Sequence, residues 1–348
     1  MTNLNLLPQT DWDAGSRTTE RSTFAGLEIN DDAVRTPVPG TPRALVEFDF
    51  PGVRVGVAEY ADGPTGVTVI EFEGGARTAI DDRGGAVGIT GRYSYNSAIA
   101  LTGGSVQGLA AASGVTDAIM AERGRKTGFA DLVPVSGACI YDFAVRDNAI
   151  TPDNALGRAA HANAVPGRVP IGRVGAGVAA SCGKMSPTST EWAGQGAAFV
   201  QVGELKVLAI VVVNAVGVVV DRDGRVLRGN LQPDGSRRHP IVDGMLAFDP
   251  TSAAMPYQPG NTTISTVVTN AKVNDADLAQ LATQVHSSMH RAIQPFHTAL
   301  DGDTLFLVTT DEVELPSFDA RKTLSPSVAS VGAIASEVMW NAIIESVR

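Results

Sequence analysis

Everything after residue 261 reads as strand, helix, strand, helix, and four such elements cannot bury both faces of themselves. Residues 263–269 form a β-branched run, and residues 303–309 read as a second strand. Between them Asn274 is a good cap for a helix reaching about Ile293, with Leu278, Leu281, Ala282, Val285, Met289 and Ile293 at helical spacing. Ser325-Pro326 opens a last helix with Val328, Val331, Ala335 and Val338 on one face. This C-terminal piece must therefore pack into sheets supplied by the chain before it. Residues 44–50, 53–60 and 67–72 carry β-branched or aromatic residues between Gly, Pro and Asp turns, as strands do. Residues 206–220 read as a buried strand that turns at Asp223-Gly224 into a hairpin. Residues 105–123 and 153–164 read as helices, the first stopped by Gly124 and the second ended before Pro166. Gly103-Gly104-Ser105 is a tight turn into the first of them. Residues 1–42 have little periodicity and read as an irregular arm over the surface or across a subunit boundary.

The composition, 44% hydrophobic and 18% charged, is that of a globular protein. A formal net charge of −10 argues against a general nucleic-acid or membrane-surface role, since both need clustered Lys and Arg. The apolar run 207–220 is too short to cross a bilayer as a helix and is interrupted by Asn214 and Gly217. The N-terminus lacks a basic stretch followed by an apolar core, so a cytoplasmic location is expected. Cys139 and Cys182, far apart and without CxxC spacing, read as buried free thiols. Asn261-Thr262-Thr263 also fits a glycosylation acceptor, a reading that needs export.

The chemistry-bearing motif is Asn261-Thr262-Thr263-Ile264, where a Pro- and Gly-rich loop (Met255 to Gly260) gives way to the strand. A mid-chain threonine hydroxyl is a poor nucleophile. An N-terminal threonine carries its own base, an α-amine with a reference pKa near ~8. Asp301 and Asp303 fall on the same side of an extended segment and could hold that ammonium's proton, or Asp301-Gly302-Asp303 could be an ordinary turn. Asn214 sits in an apolar run, where an unpaired amide would cost about 1–3 kcal/mol. It is either an oxyanion donor or an amide bonded to a neighbouring strand. Lys184 follows a Gly-rich segment and could polarise a carbonyl. No phosphate loop is formed there, because Val178 stands where the first Gly belongs. His286 and His290, four apart with His297 beyond, have a zinc-compatible spacing but flank the apolar stripe without a Glu after His286, so no metal is expected.

Long stretches resemble the nylon-oligomer (6-aminohexanoate-oligomer) endohydrolases within the self-processing aminopeptidase/D-esterase peptidases. They include Gly63-Pro64-Thr65-Gly66, Ile140-Tyr141-Asp142-Phe143, Gly183-Lys184, Asn214-Ala215-Val216-Gly217, Gly260-Asn261-Thr262-Thr263, His286-Ser287-Ser288-Met289-His290 and Asp301-Gly302-Asp303. The resemblance implies an α+β fold, a four-layer αββα sandwich of N-terminal-nucleophile type with two central sheets. It implies scission between Asn261 and Thr262 into fragments 1–261 and 262–348 that stay in one joint domain. Thr262 would be the nucleophile, with Lys184, Asn214, Asp301 and Asp303 around it and Tyr141 near the scissile carbonyl. By itself Tyr141 also fits plain packing in a strand. No cofactor is implied, the substrate would be a small linear amide oligomer, and the assembly would be a tetramer of cleaved heterodimers. An aminopeptidase acting on short or β-linked peptides is the enzymatic alternative, and a subunit that never cuts itself is the non-enzymatic one.

Overall fold

A computed structural model describes residues 28–185, 190–247, 260–316 and 326–348. The Pro- and Gly-rich loop before Gly260, Ser325 and residues 1–27 of the arm lie outside the described residues. The working elements are strands β1 (Val53–Tyr60), β2 (Thr65–Asp82), β3 (Tyr95–Thr102), β4 (Val135–Cys139), β5 (Gln195–Val202), β6 (Leu205–Asn214), β7 (Thr262–Lys272) and β8 (Thr304–Glu314). The helices that pack on them or cap the layers are α1 (Ala110–Glu122), α2 (Asn154–Ala162), α3 (Asp275–Ser288) and α4 (Pro326–Glu345), with further short helices at Ser105–Gly108 and Pro240–Ala247.

The residues after 261 are woven into the rest as the sequence demands. Strand β7 lies between β6, antiparallel, and β8, parallel, while β8 pairs antiparallel with residues 77–82 of β2. Helix α3 starts where Asn274 accepts the Asp277 N–H at 2.8 Å, and α2 starts where Asp153 accepts that of Leu156 at 3.0 Å.

Alternation along the strands sorts side chains into layers. Val207, Ala209, Val211 and Val213 of β6 join Leu278, Leu281 and Val285 of α3 and Val331, Val338 and Ile343 of α4 in one core. The residues between them, Leu208, Ile210 and Val212, join Ile264, Val268, Phe306 and Val308 against Val53, Val55, Ile70, Ile99 and Leu101 in a second core. A third core sets Val67, Val69 and Ala100 against Val115 and Ile119 of α1 and Leu156 of α2. Helices, sheet, sheet and helices thus stack as a four-layer αββα sandwich, with the second core in the middle. Helix α4 has the length and apolar composition of a membrane span, and Val331, Val338 and Ile343 bury it against the sheet.

The two sheet layers are halves of one ten-stranded hydrogen-bonded sheet. Strand β2 joins them: residues 65–72 pair with β1, and residues 77–82 with β8. Its register with β3 shifts between Glu71 and Ala76, where Gly74 and Gly75 take φ of 75° and 83°. The glycine pair that looks like a turn is a bulge, so β2 runs well past the expected residue 72. Strand β6 in turn ends earlier than expected. The chain leaves the sheet after Asn214, and Val218–Val220 pairs instead with Val226–Arg228 and Ile293–Gln294. Helix α1 begins after a separate short turn at Ser105–Gly108, reached through Gly104 at φ 74°. Residues 28–42 lie on the body of the same chain, where Val38 pairs with Glu59 and Asn30 bonds to the Thr151 carbonyl at 2.9 Å. Both cysteines are buried and free.

Phe306 sits in the middle core with no exposed surface. Phe306→Ala is expected to cost about 3–5 kcal/mol in denaturant unfolding. A loss well under about 1 kcal/mol would mean that the two sheet layers are not closely packed there.

Candidate active site

Three strand ends meet at one edge of the sheet. Antiparallel register sets Asn214, the last residue of β6, opposite Thr262, the first of β7. Parallel pairing sets Ile264 opposite Thr304, and a further bridge joins Asn261 to Asp301. Thr262, Asn214, Lys184, Asp301 and Asp303 are all buried.

The Asn261–Thr262 peptide is gripped from several sides. The Asn261 carbonyl accepts the Gly302 N–H at 3.1 Å, and the Thr262 hydroxyl is in close hydrogen-bond contact with the same oxygen. Gly302 is required for this approach, because a Cβ there would stand 2.2 Å from the Ala86 oxygen and 3.1 Å from Thr262 Oγ1. One residue earlier, the Gly260 carbonyl accepts from Lys184 Nζ at 3.2 Å and Asn214 Nδ2 at 3.4 Å. Lys184 also donates to the backbone oxygen of Asn214 at 3.0 Å and to its Oδ1 at 2.7 Å. Three acceptors match the three N–H bonds of an ammonium group. Burial nevertheless pushes Lys184 down from 10.5 to about 7.

Asn214 is fully used. Its Oδ1 also accepts the Ser181 N–H at 3.1 Å, and its Nδ2 donates to the Tyr141 carbonyl at 3.0 Å. Tyr141 is held by its neighbour Asp142, whose carboxylate accepts from Thr65 Oγ1 at 2.6 Å, the Gly104 N–H at 3.0 Å and Arg146 at 2.8 Å. The Tyr141 ring covers Gly260, where a Cβ would fall 2.0 Å from the ring edge.

The two acids take different positions. Asp303 Oδ1 accepts the Thr263 N–H at 2.6 Å, so it fixes the residue after the nucleophile candidate. Burial, and then the neighbouring Asp301 carboxylate, raise the Asp303 pKa well above the ordinary carboxylate range. Asp301 accepts from Thr298 N–H at 2.9 Å, from its hydroxyl at 2.5 Å and from Val216 N–H at 3.3 Å. It braces the loops around the site.

All seven residues singled out in the sequence, Tyr141, Lys184, Asn214, Asn261, Thr262, Asp301 and Asp303, are thus brought together. Two details differ from the simple expectation. The amide of Asn214 and the ammonium of Lys184 hold the Gly260 carbonyl, while the donor on the Asn261 carbonyl is the backbone of Gly302. Gly302 was missed because a backbone N–H leaves no residue signature, although a glycine between two acids was its one trace. Among the described residues, the three metal-type ligand atoms that converge belong to Glu71, Glu122 and His161, where Arg54 already pairs with Glu71 at 2.7 Å. None of them belongs to the Thr262 site.

Residues 48–348 match peptidase family S58. The chain is 51% identical, over 97% of both chains, to a 6-aminohexanoate-oligomer endohydrolase of Paenarthrobacter ureafaciens. It is 53% identical to a Kocuria protein of the same description, over 90% of this chain and 88% of the relative. Among solved structures, the L-aminopeptidase D-Ala-esterase/amidase of Ochrobactrum anthropi, described as a variant of the Ntn hydrolase fold, superposes with a TM-score of 0.59. That match has 17% identity over 85% of this chain and 84% of that one.

Gly302→Ala, whose Cβ would push this backbone away from the Asn261 carbonyl, is expected to slow any self-scission at Asn261–Thr262 by more than about tenfold on a denaturing-gel time course. An unchanged rate would mean that the close approach of the residue 302 backbone is not needed for it. A second test uses linkage. With its pKa lowered to about 7 in the fold, Lys184 binds fewer protons there than in the unfolded chain above that pH. The stability of wild type relative to Lys184→Met is therefore expected to rise between about pH 7 and 9 in denaturant unfolding. A flat difference across that window would mean that Lys184 is not desolvated.

Proposed function

The chain belongs to peptidase family S58 and is an amide hydrolase, and on that premise we propose that it cuts its own backbone between Asn261 and Thr262. The freed Thr262 then acts as nucleophile on linear amide oligomers of the 6-aminohexanoate type. The observation that carries this reading is the convergence of the Thr262 hydroxyl and the Gly302 N–H on the Asn261 carbonyl oxygen inside a buried site.

In the first reaction Thr262 Oγ1 attacks the Asn261 carbonyl carbon while the Gly302 N–H takes up the charge growing on the oxygen. The C–N bond breaks as the acyl group moves to oxygen, and the proton lost by the hydroxyl ends on the departing Thr262 nitrogen. Water then hydrolyses the ester, leaving an Asn261 carboxylate and a free α-amine on Thr262. In the second reaction that amine accepts the proton from Oγ1 as the hydroxyl attacks a substrate amide, and passes it to the departing amine. Water removes the acyl group. Lys184 and Asn214, which grip the Gly260 carbonyl before scission, become available to a substrate carbonyl once that strand end withdraws. Asp303 keeps Thr262 aimed through the Thr263 amide. From the same resemblance the assembly proposed is an oligomer, a tetramer of cleaved heterodimers.

Thr262→Ala is expected to remain one band on a denaturing gel and to lose oligomer hydrolysis by at least about a thousandfold. Residual cutting at this bond, or hydrolysis by the uncut variant, overturns the proposal. Oligomers with a blocked amine separate the alternatives: they should be cleaved like free ones, whereas their loss as substrates would favour an aminopeptidase.

A further inference from the structure

Behind Asp303 lies a histidine cluster, with His286 buried, His297 half-buried and His290 exposed, that the mechanism above does not use. His297 directs two nitrogens at one oxygen: its backbone N–H stands 3.1 Å and its ring Nδ1 2.9 Å from Asp303 Oδ2. The other carboxyl oxygen holds the Thr263 N–H at 2.6 Å. The imidazole is therefore one hydrogen bond behind the carboxyl, which is one hydrogen bond behind the residue next to Thr262. His297 adopts φ 57°, a left-handed conformation uncommon outside glycine and asparagine, and this turn brings its amide and its ring to the same oxygen.

The ring has little else to hold it by polarity. Its side chain is only 8% exposed, and Nε2 is buried without a hydrogen-bond partner. Packing fixes its plane: the Phe296 ring lies 3.9 Å away, with the edges of His286 at 4.3 Å and His290 at 4.9 Å. His286 is fully buried and points Nδ1 toward Asp81 at 3.6 Å. This is a ring locked by its neighbours with one nitrogen committed to the acid.

We propose that His297 is the positioning residue that keeps Asp303 aimed at the Thr263 amide whether or not the carboxyl carries a proton. A neutral imidazole can donate Nδ1–H to a carboxylate or accept O–H from a carboxylic acid. The contact carries one proton in either case, on Nδ1 opposite the carboxylate or on Oδ2 opposite the tautomer that holds its proton on Nε2, so Asp303 can take up or lose one proton without displacing a heavy atom and without any change of a bond to carbon. Asp303 needs such a partner because it is enclosed beside the Asp301 carboxylate, where burial and that neighbour favour its protonated form. The inference deepens the Thr262 reading and rests on it.

The test compares His297→Phe, which keeps a ring but removes Nδ1, with His297→Asn, whose amide can stand near Nδ1 and whose backbone tolerates the left-handed turn. His297→Phe should slow scission and lower kcat by at least about tenfold with KM changed less than about twofold, and His297→Asn should recover most of both. Normal scission and kcat in a folded His297→Phe protein overturns the inference while leaving the Thr262 reading intact. An active wild-type chain that is never cut at Thr262 removes that reading, and this one with it. If His297→Phe does not fold, the 15N-histidine spectrum of uncut Thr262→Ala protein decides. The His297 Nδ1 signal should move on adding Asp303→Asn, and an unmoved signal overturns the inference.

Discussion

The pairing of β7 between β6 and β8 is the constraint on which the remainder depends. Because β6 runs antiparallel to it and β8 parallel, the end of β6 and the starts of β7 and β8 fall at one edge of the sheet. That single register places Asn214 opposite Thr262 and brings Asp301 beside Asn261. A one-residue slip would turn every side chain of β7 to the other face and exchange the middle core for the helical one. The strand held by packing on both faces is therefore the strand that carries Thr262, and with Thr262 as the proposed nucleophile folding and chemistry share one requirement.

Burial then sets the character of the site. Lys184, Asp301 and Asp303 have no exposed surface, so their charges are tolerated only through the donors and acceptors around them. Lys184 has three acceptors, two of them on Asn214. Asp301 has Thr298 and Val216, while Asp303 has Thr263 and His297. These bonds bind the strand ends to the loops at 181–184, 214–217 and 296–302. Any scission at Asn261–Thr262 would release the segment carrying the Gly260 carbonyl, which now occupies the donors of Lys184 and Asn214.

Much of this could be read from the sequence, and the failures have a common cause. The cap Asn274 and the threonine that opens a strand are local signals, and each is where it was expected. Tertiary features were harder. Gly74 and Gly75 looked like a turn because a bulge and a turn use the same residue. Strands β3 and β4 are rich in Ala, Ser and Gly and lack the usual strand composition, and from Asn96 to Thr102 and from Val135 to Cys139 they are buried. The target of Asn214 depends on how far the loop before Thr262 reaches. The role of Gly302 lies in its backbone, and that of His297 in a left-handed turn between residues six apart.

The central claim is that a broken peptide bond creates the nucleophile. Intact mass combined with N-terminal sequencing of purified, active protein tests it most directly. The account predicts two polypeptides, the smaller beginning Thr262-Thr263-Ile264-Ser265. A single continuous chain that hydrolyses amides at full rate would contradict it.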